Sequence, residues 1–115
     1  MKKVYIAGKL NDDAVGYIQN CARMIRLAND AREAGFAVFV PCIDLLQGLV
    51  AGNWTYRQYF DNSQPWLRAS DAILVVKEGY RNSKGTMREI DTAKQHDIPV
   101  FFCLEDMAKH FKEAE

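Results

Sequence analysis

Apolar positions fall in two alternating patterns along the chain. Runs of consecutive apolar residues, Val4-Tyr5-Ile6-Ala7, Phe36-Ala37-Val38-Phe39-Val40, Ala72-Ile73-Leu74-Val75-Val76 and Pro99-Val100-Phe101-Phe102-Cys103, predict four strands. Such near-continuous runs suit a parallel sheet covered on both faces. Between them the apolar spacing changes to three and four residues. Ala14, Ile18, Cys21, Ile25 and Ala28 predict an amphipathic helix over about 13–34, capped by Asp12 or Asp13 and stopped at Gly35. Ile43, Leu45, Leu46, Leu49 and Val50 predict a short helix broken at Gly52-Asn53. Further helices are expected over about 55–69, kinked or split at Pro65, over about 86–96, and from Glu105 to the end. Strands alternating with helices predict an α/β fold. It is a three-layer αβα sandwich, flavodoxin- or Rossmann-like, with a four-stranded parallel sheet in the order 2-1-3-4.

Composition narrows the function. The chain has 115 residues, enough for one core, so 1–115 is read as a single domain. Lys and Arg total 15 and Asp and Glu total 15, a balance that argues against a nucleic acid polymer as partner. No apolar stretch approaches the roughly 20 residues that span a bilayer, so no membrane is expected as partner. The apolar run after Met1-Lys2-Lys3 stops at Ala7-Gly8, too short for a secretory leader, and a cytoplasmic location is expected. Cys21, Cys42 and Cys103 form no CxxC pair, and His96 and His110 are not at metal-ligand spacing with them. No metal, disulfide framework or cofactor is expected, and the cysteines are read as small apolar side chains in or near the core.

In sheets of this kind ligands bind beyond the carboxyl ends of the strands, where the strand order reverses. That is between strands 1 and 3. The turn after strand 1, Gly8-Lys9-Leu10, and the turn after strand 3, Gly79 to Thr86, both fall there. The second opens a helix at Ser83-Lys84-Gly85-Thr86-Met87-Arg88-Glu89, a place of free backbone N–H groups that favours phosphate. Two readings of Glu89 stand open. Thr86-x-x-Glu89 matches a capping box with Thr86 as N-cap. Alternatively Glu89 is a carboxylate nucleophile at an anomeric carbon. Ser83 and Gly85 are either a permissive loop or a hydroxyl and a close backbone approach for phosphate. Tyr5 is a core strand residue whose hydroxyl needs a partner, and Glu89 is the candidate. Lys9 is a solvated lysine or a phosphate ligand. Trp54, Tyr56, Tyr59, Phe60 and Trp66 are core or interface, with one or two available to wall a base pocket. Asp71 is expected to be structural. Other users of the fold fit worse. There is no Ser/Thr-rich phosphate loop after strand 1, no receiver-type acidic residue at the ends of strands 1 and 3, and no GxGxxG.

Four segments together resemble the nucleoside 2-deoxyribosyltransferase-like superfamily, in particular its small members of unassigned function from bacterial and phage genomes. They are Val4-Tyr5-Ile6-Ala7-Gly8, Val40-Pro41, Trp66-Leu67-x-x-Ser70-Asp71-Ala72 and Ser83-Lys84-Gly85-Thr86-x-x-Glu89-x-x-x-Ala93. The resemblance implies that Glu89 attacks C1′ of a deoxynucleoside and that Tyr5 orients it. A serine at Ser83, in place of aspartate, implies a nucleoside monophosphate as substrate, held by Ser83, Gly85 and Thr86 with Gly8 and Lys9. The reaction implied is N-glycosidic hydrolysis or 2-deoxyribosyl transfer, and the resemblance also implies a homo-oligomer. Two departures stand out. The position of the usual acid is Ser63, leaving Asp61 as the substitute if Pro65 shifts the register. Asp91 replaces a common glycine and is expected to crowd the pocket. Ser63 favours the alternative function, a non-catalytic nucleotide-binding module for sensing or sequestration.

Overall fold

The computed structural model describes residues 1–114, without the side chains at 44–46 and 49. Four strands, β1 (Lys3–Ala7), β2 (Ala37–Phe39), β3 (Ala72–Val75) and β4 (Val100–Phe101), form one parallel sheet in the order β2-β1-β3-β4. The described helices are α1 (Ala14–Glu33), α2 (Asp44–Ala51), α3 (Tyr56–Arg68), α4 (Lys84–Gln95) and α5 (Leu104–Glu113). The expected order and class are those observed. The expected apolar face of Leu45, Leu46 and Leu49 lies outside the described side chains.

Alternation along the strands builds the two outer layers. Val4 and Ile6 of β1 and Ala72 and Leu74 of β3 point to one side. There they pack with Met24, Ala28 and Ala31 of α1 and Met107 of α5. Tyr5, Ala7, Ile73 and Val75 point to the other side, against Leu67 of α3 and Ile90 and Ala93 of α4. Asp71 accepts the Lys3 N–H at 2.7 Å and ties the amino ends of β1 and β3 together, the structural role expected of it.

The structure corrects three local expectations. The buried face of α1 is Asn20, Met24, Ala28 and Ala31, and Ile18 and Ile25 face outward. Asn20 anchors that face by donating to the Leu10 carbonyl at 3.3 Å. Second, α3 runs through Pro65 without a break. Its start is fixed by a capping box between Thr55 and Gln58. Third, α4 begins at Lys84, because extended Ser83 is its N-cap. Thr86 is therefore inside the helix, and the Thr86–Glu89 capping box does not form.

Candidate active site

The site lies at the carboxyl ends of β1 and β3, where the sheet changes direction. Gly8 follows β1 at a point of very close packing. A Cβ there would sit 3.1 Å from Val76 Cβ and 3.2 Å from Met24 Cγ, so any larger residue would press both side chains back by a few tenths of an ångström. The Lys9 side chain lies over the turn after β3. Its Cδ is 3.0 Å from where a Cβ on Gly79 would stand, and Gly79 adopts φ 72°. The two turns grouped on sequence grounds thus meet in space.

Ser83 organises the start of α4. Its hydroxyl oxygen accepts from the Thr86 N–H at 3.2 Å and from the Thr86 hydroxyl at 2.9 Å. Thr86 is fully buried, so its hydroxyl serves the cap. Ser83 is half-buried and keeps its own O–H proton to donate. Gly85 opens the helix toward α3: a Cβ there would stand 3.3 Å from the Tyr56 hydroxyl.

Glu89 lies in the second turn of α4 and turns inward. The hydroxyl of fully buried Tyr5 donates to its Oε2. Burial pushes the Glu89 carboxyl up from the ordinary 4.5 to about 7, and the Tyr5 bond opposes part of that shift. Near neutral pH this carboxyl exists in both protonation states, a condition suited to a group that must react. The pairing is the one expected from a buried strand tyrosine whose hydroxyl needs a partner.

The remaining candidates are less engaged. Asp61 is exposed on α3 and paired with Arg57 at 3.2 Å. With α3 unbroken at Pro65, Asp61 stays about 200° round the helix from Ser63. The register shift that would bring it inward is absent. Ser63 itself is buried, and its hydroxyl donates to the Phe60 carbonyl at 3.2 Å. Asp91 is exposed, about 200° round α4 from Glu89, and does not crowd the site.

Two residues escaped the sequence reading. Phe39 is the register partner of Tyr5 on the neighbouring strand. It stacks on Tyr5 at 5.6 Å and on Trp66 at 5.4 Å, forming an aromatic ladder from Glu89 to the surface. Arg88 lies over the rings of Tyr56 and Phe60, at 6.0 and 5.2 Å. Its spacing of three from Gly85 was the available signal, since i and i+3 share a helix side. An open cleft of about 400 Å³ lies on the other side of the sheet, between α1 and the ends of β3 and β4. It mixes Arg23, Arg26 and Lys77 with Asp30, Glu78 and Glu105, so it has no charge preference and does not include Glu89.

Solved structures share this architecture. A conserved protein from Enterococcus faecalis V583 is 20% identical, with a TM-score of 0.62 over 87% of this chain and 61% of that one. The present chain thus spans about three fifths of that protein's length. A 2-deoxyribosyltransferase from Bacillus psychrosaccharolyticus is also 20% identical, with a TM-score of 0.63 over 85% of this chain and 69% of that one. At such identity the likeness is one of fold: the chain has the α/β fold of the 2-deoxyribosyltransferase type. No curated protein matches the sequence. A family model does, over residues 2–102, which include β1, Tyr5 and the whole of α4. The chain therefore belongs to the family described as domain of unknown function DUF4406.

Proposed function

We propose that this protein breaks or transfers the N-glycosidic bond of a deoxynucleoside monophosphate, with Glu89 as nucleophile. The observation that carries the reading is the inward Glu89 carboxyl, bonded to Tyr5 at the carboxyl ends of the strands. In this reaction ionised Glu89 attacks C1′, and the base leaves with the electrons of the C1′–N bond. Tyr5 holds the attacking oxygen in line. Water, or a second base, then takes the sugar from Glu89. Ser83 donates its O–H to the 5′-phosphate, helped by the uncapped N–H groups of Lys84 and Gly85. Exposed Trp66, at the outer end of the ladder, offers a ring face for the departing base.

Among the described groups, Asp61 is turned to solvent and Ser63 cannot act as an acid. General acid help is typically worth about 10²–10⁴ in rate, so turnover without it is slow. This same gap supports a second reading, a nucleotide-binding module without turnover. Incubation with the common deoxynucleoside monophosphates, followed by chromatography for free base, separates the two. Base release by wild type that Glu89→Ala lowers by on the order of 10³-fold or more supports the enzyme. A thermal shift on nucleotide addition without base release supports the module.

A further inference from the structure

We propose that Cys21 and Cys42 are a reversible disulfide site, oxidised by a hydroperoxide and restored by a dithiol. The inference is independent of the reaction proposed above. Cys21 lies on α1, and Cys42 lies in the short helical turn Pro41–Ile43 that follows β2. They are far apart in sequence, with no spacing that signals a pair. The fold brings both into the apolar cluster on the α1 face of the sheet, where the two thiols are in hydrogen-bond contact. Both are free thiols. Closing the bond draws the sulfurs from that contact to about 2.05 Å. The bridge would tie α1 to the turn that leads into α2.

The surroundings give the two thiols different roles. Cys21 is half-buried and Cys42 is 5% exposed, so a peroxide from solvent meets Cys21 first. Burial pushes the Cys21 thiol up, and its bonds to Tyr17 and Cys42 oppose part of that shift. The thiolate is therefore a minor form at neutral pH, and oxidation is slow there. In the first step the Cys21 thiolate attacks one oxygen of hydrogen peroxide. The O–O bond breaks, and the other oxygen leaves as hydroxide and takes up the thiol proton as water. Cys21 has lost two electrons and is a sulfenic acid. The Cys42 sulfur then attacks the Cys21 sulfur. The S–S bond forms, the S–O bond breaks, and hydroxide leaves with the Cys42 proton as a second water. Cys103 is the contrast: it stands at the N-cap of α5, and its partner is Asp106 rather than a thiol.

The test treats the dilute wild-type chain with hydrogen peroxide at about pH 8.5, to raise the thiolate share. Remaining thiols are alkylated in urea and the chain is digested with trypsin, which leaves Cys21, Cys42 and Cys103 on separate peptides. The expected product is the Cys21 peptide joined to the Cys42 peptide, lighter than their sum by two hydrogens, with the Cys103 peptide outside the link. Cys42 recovered alkylated, with Cys21 carried on to sulfinic acid, overturns the proposal. The bond should raise the thermal midpoint by about 5–15 °C, reversed by dithiothreitol, because it closes a loop between side chains already in contact. A midpoint that stays or falls on oxidation would show that the native fold does not accommodate the link, and overturns it. In Cys42→Ser the resolving thiol is gone, so Cys21 should stop at the sulfenic acid and be trapped by dimedone. Dimedone on Cys42 in Cys21→Ser would overturn the assigned order of attack. If either variant fails to fold, the wild-type peptide map decides.

Discussion

The two faces of the sheet come from alternate residues of the same strands, yet they bury different chemistry. On the α1/α5 face Val4, Ile6, Ala72 and Leu74 meet Met24, Ala28 and Met107, all apolar. The titratable groups there include a phenol and a thiol. Burial pushes Tyr17 up to about 12 and also raises Cys21, so both stay neutral near pH 7. On the α3/α4 face the same strands present Tyr5, and α4 answers with a carboxyl whose charge changes at about pH 7. One face is inert near neutral pH, and the other holds a carboxyl that titrates there. Tyr5 and Glu89 supply the titratable part of the difference and buried Ser63, Gln64 and Thr86 add polar groups, whereas Leu67, Ile73, Val75, Ile90 and Ala93 are as apolar as anything opposite.

Removing bulk from the inert face gives the largest expected change in stability. Met24 is fully buried between α1 and the sheet and touches no polar candidate. Met24→Ala should cost about 2–5 kcal/mol, through lost transfer energy and an unfilled cavity. Denaturant titrations at pH 5 and pH 8 should give the same loss. A loss that depends on pH would mean that the two faces are not energetically separate.

Glu89→Gln should act in the opposite direction. The Glu89 carboxyl is protonated in both folded and unfolded chains below about pH 4.5. Between about 4.5 and 7 the unfolded chain loses this proton while the folded chain keeps it, so ionisation progressively favours unfolding. Above about 7 the penalty is complete, on the order of 3 kcal/mol at about 1.4 kcal/mol per pH unit. Glutamine carries no such penalty. The variant should therefore be more stable than wild type above pH 7, match it below pH 4.5, and release no base. Urea midpoints measured across that range would refute the buried-carboxyl account if the difference were flat.

The strands and their order were legible because apolar runs and helical spacing alternate without ambiguity. The meeting of Tyr5 with Glu89 was legible because fold topology alone brings the carboxyl end of β1 beside the start of α4. What was not legible came from patterns that satisfy two registers at once. Helix α1 carries two apolar stripes. The one with Met24, Ala28 and Ala31 is buried, because small side chains let the helix approach the sheet and Asn20 pins it to Leu10. The start of α4 holds two capping signatures, Ser83 to Thr86 and Thr86 to Glu89. The earlier one forms, which frees the glutamate to turn inward. Asp61 as an acid required a helix break at Pro65 that a well-capped α3 does not make.

Tyr5→Phe tests the coupling within the reactive face at a smaller scale. Its hydroxyl lowers the Glu89 pKa, so its loss should move that pKa above about 7. In the proposed reaction the attacking form is the carboxylate, so the rate should rise with pH, and its midpoint should shift upward in the variant. The rate at pH 7 should fall by about 10–100-fold, since a hydrogen bond to a charged group is worth about 1.5–3 kcal/mol. An unmoved pH profile would show that Tyr5 only fills space.

Ser83→Ala carries the smallest effect and divides two roles that share one oxygen. As N-cap, Ser83 accepts from the Thr86 N–H, and losing that bond should cost about 1 kcal/mol. The buried Thr86 hydroxyl loses its acceptor too, so the cost should fall at the upper end of cap substitutions. The proposed phosphate role predicts a selective change in binding: KM for the monophosphate rises several-fold, and kcat stays nearly constant. The same base and sugar without the phosphate should show no change in KM, since Ser83 has nothing there to donate to. Parallel losses for both substrates would reduce Ser83 to a cap, and phosphate recognition would then rest on the N–H groups of Lys84 and Gly85, which the alanine leaves in place.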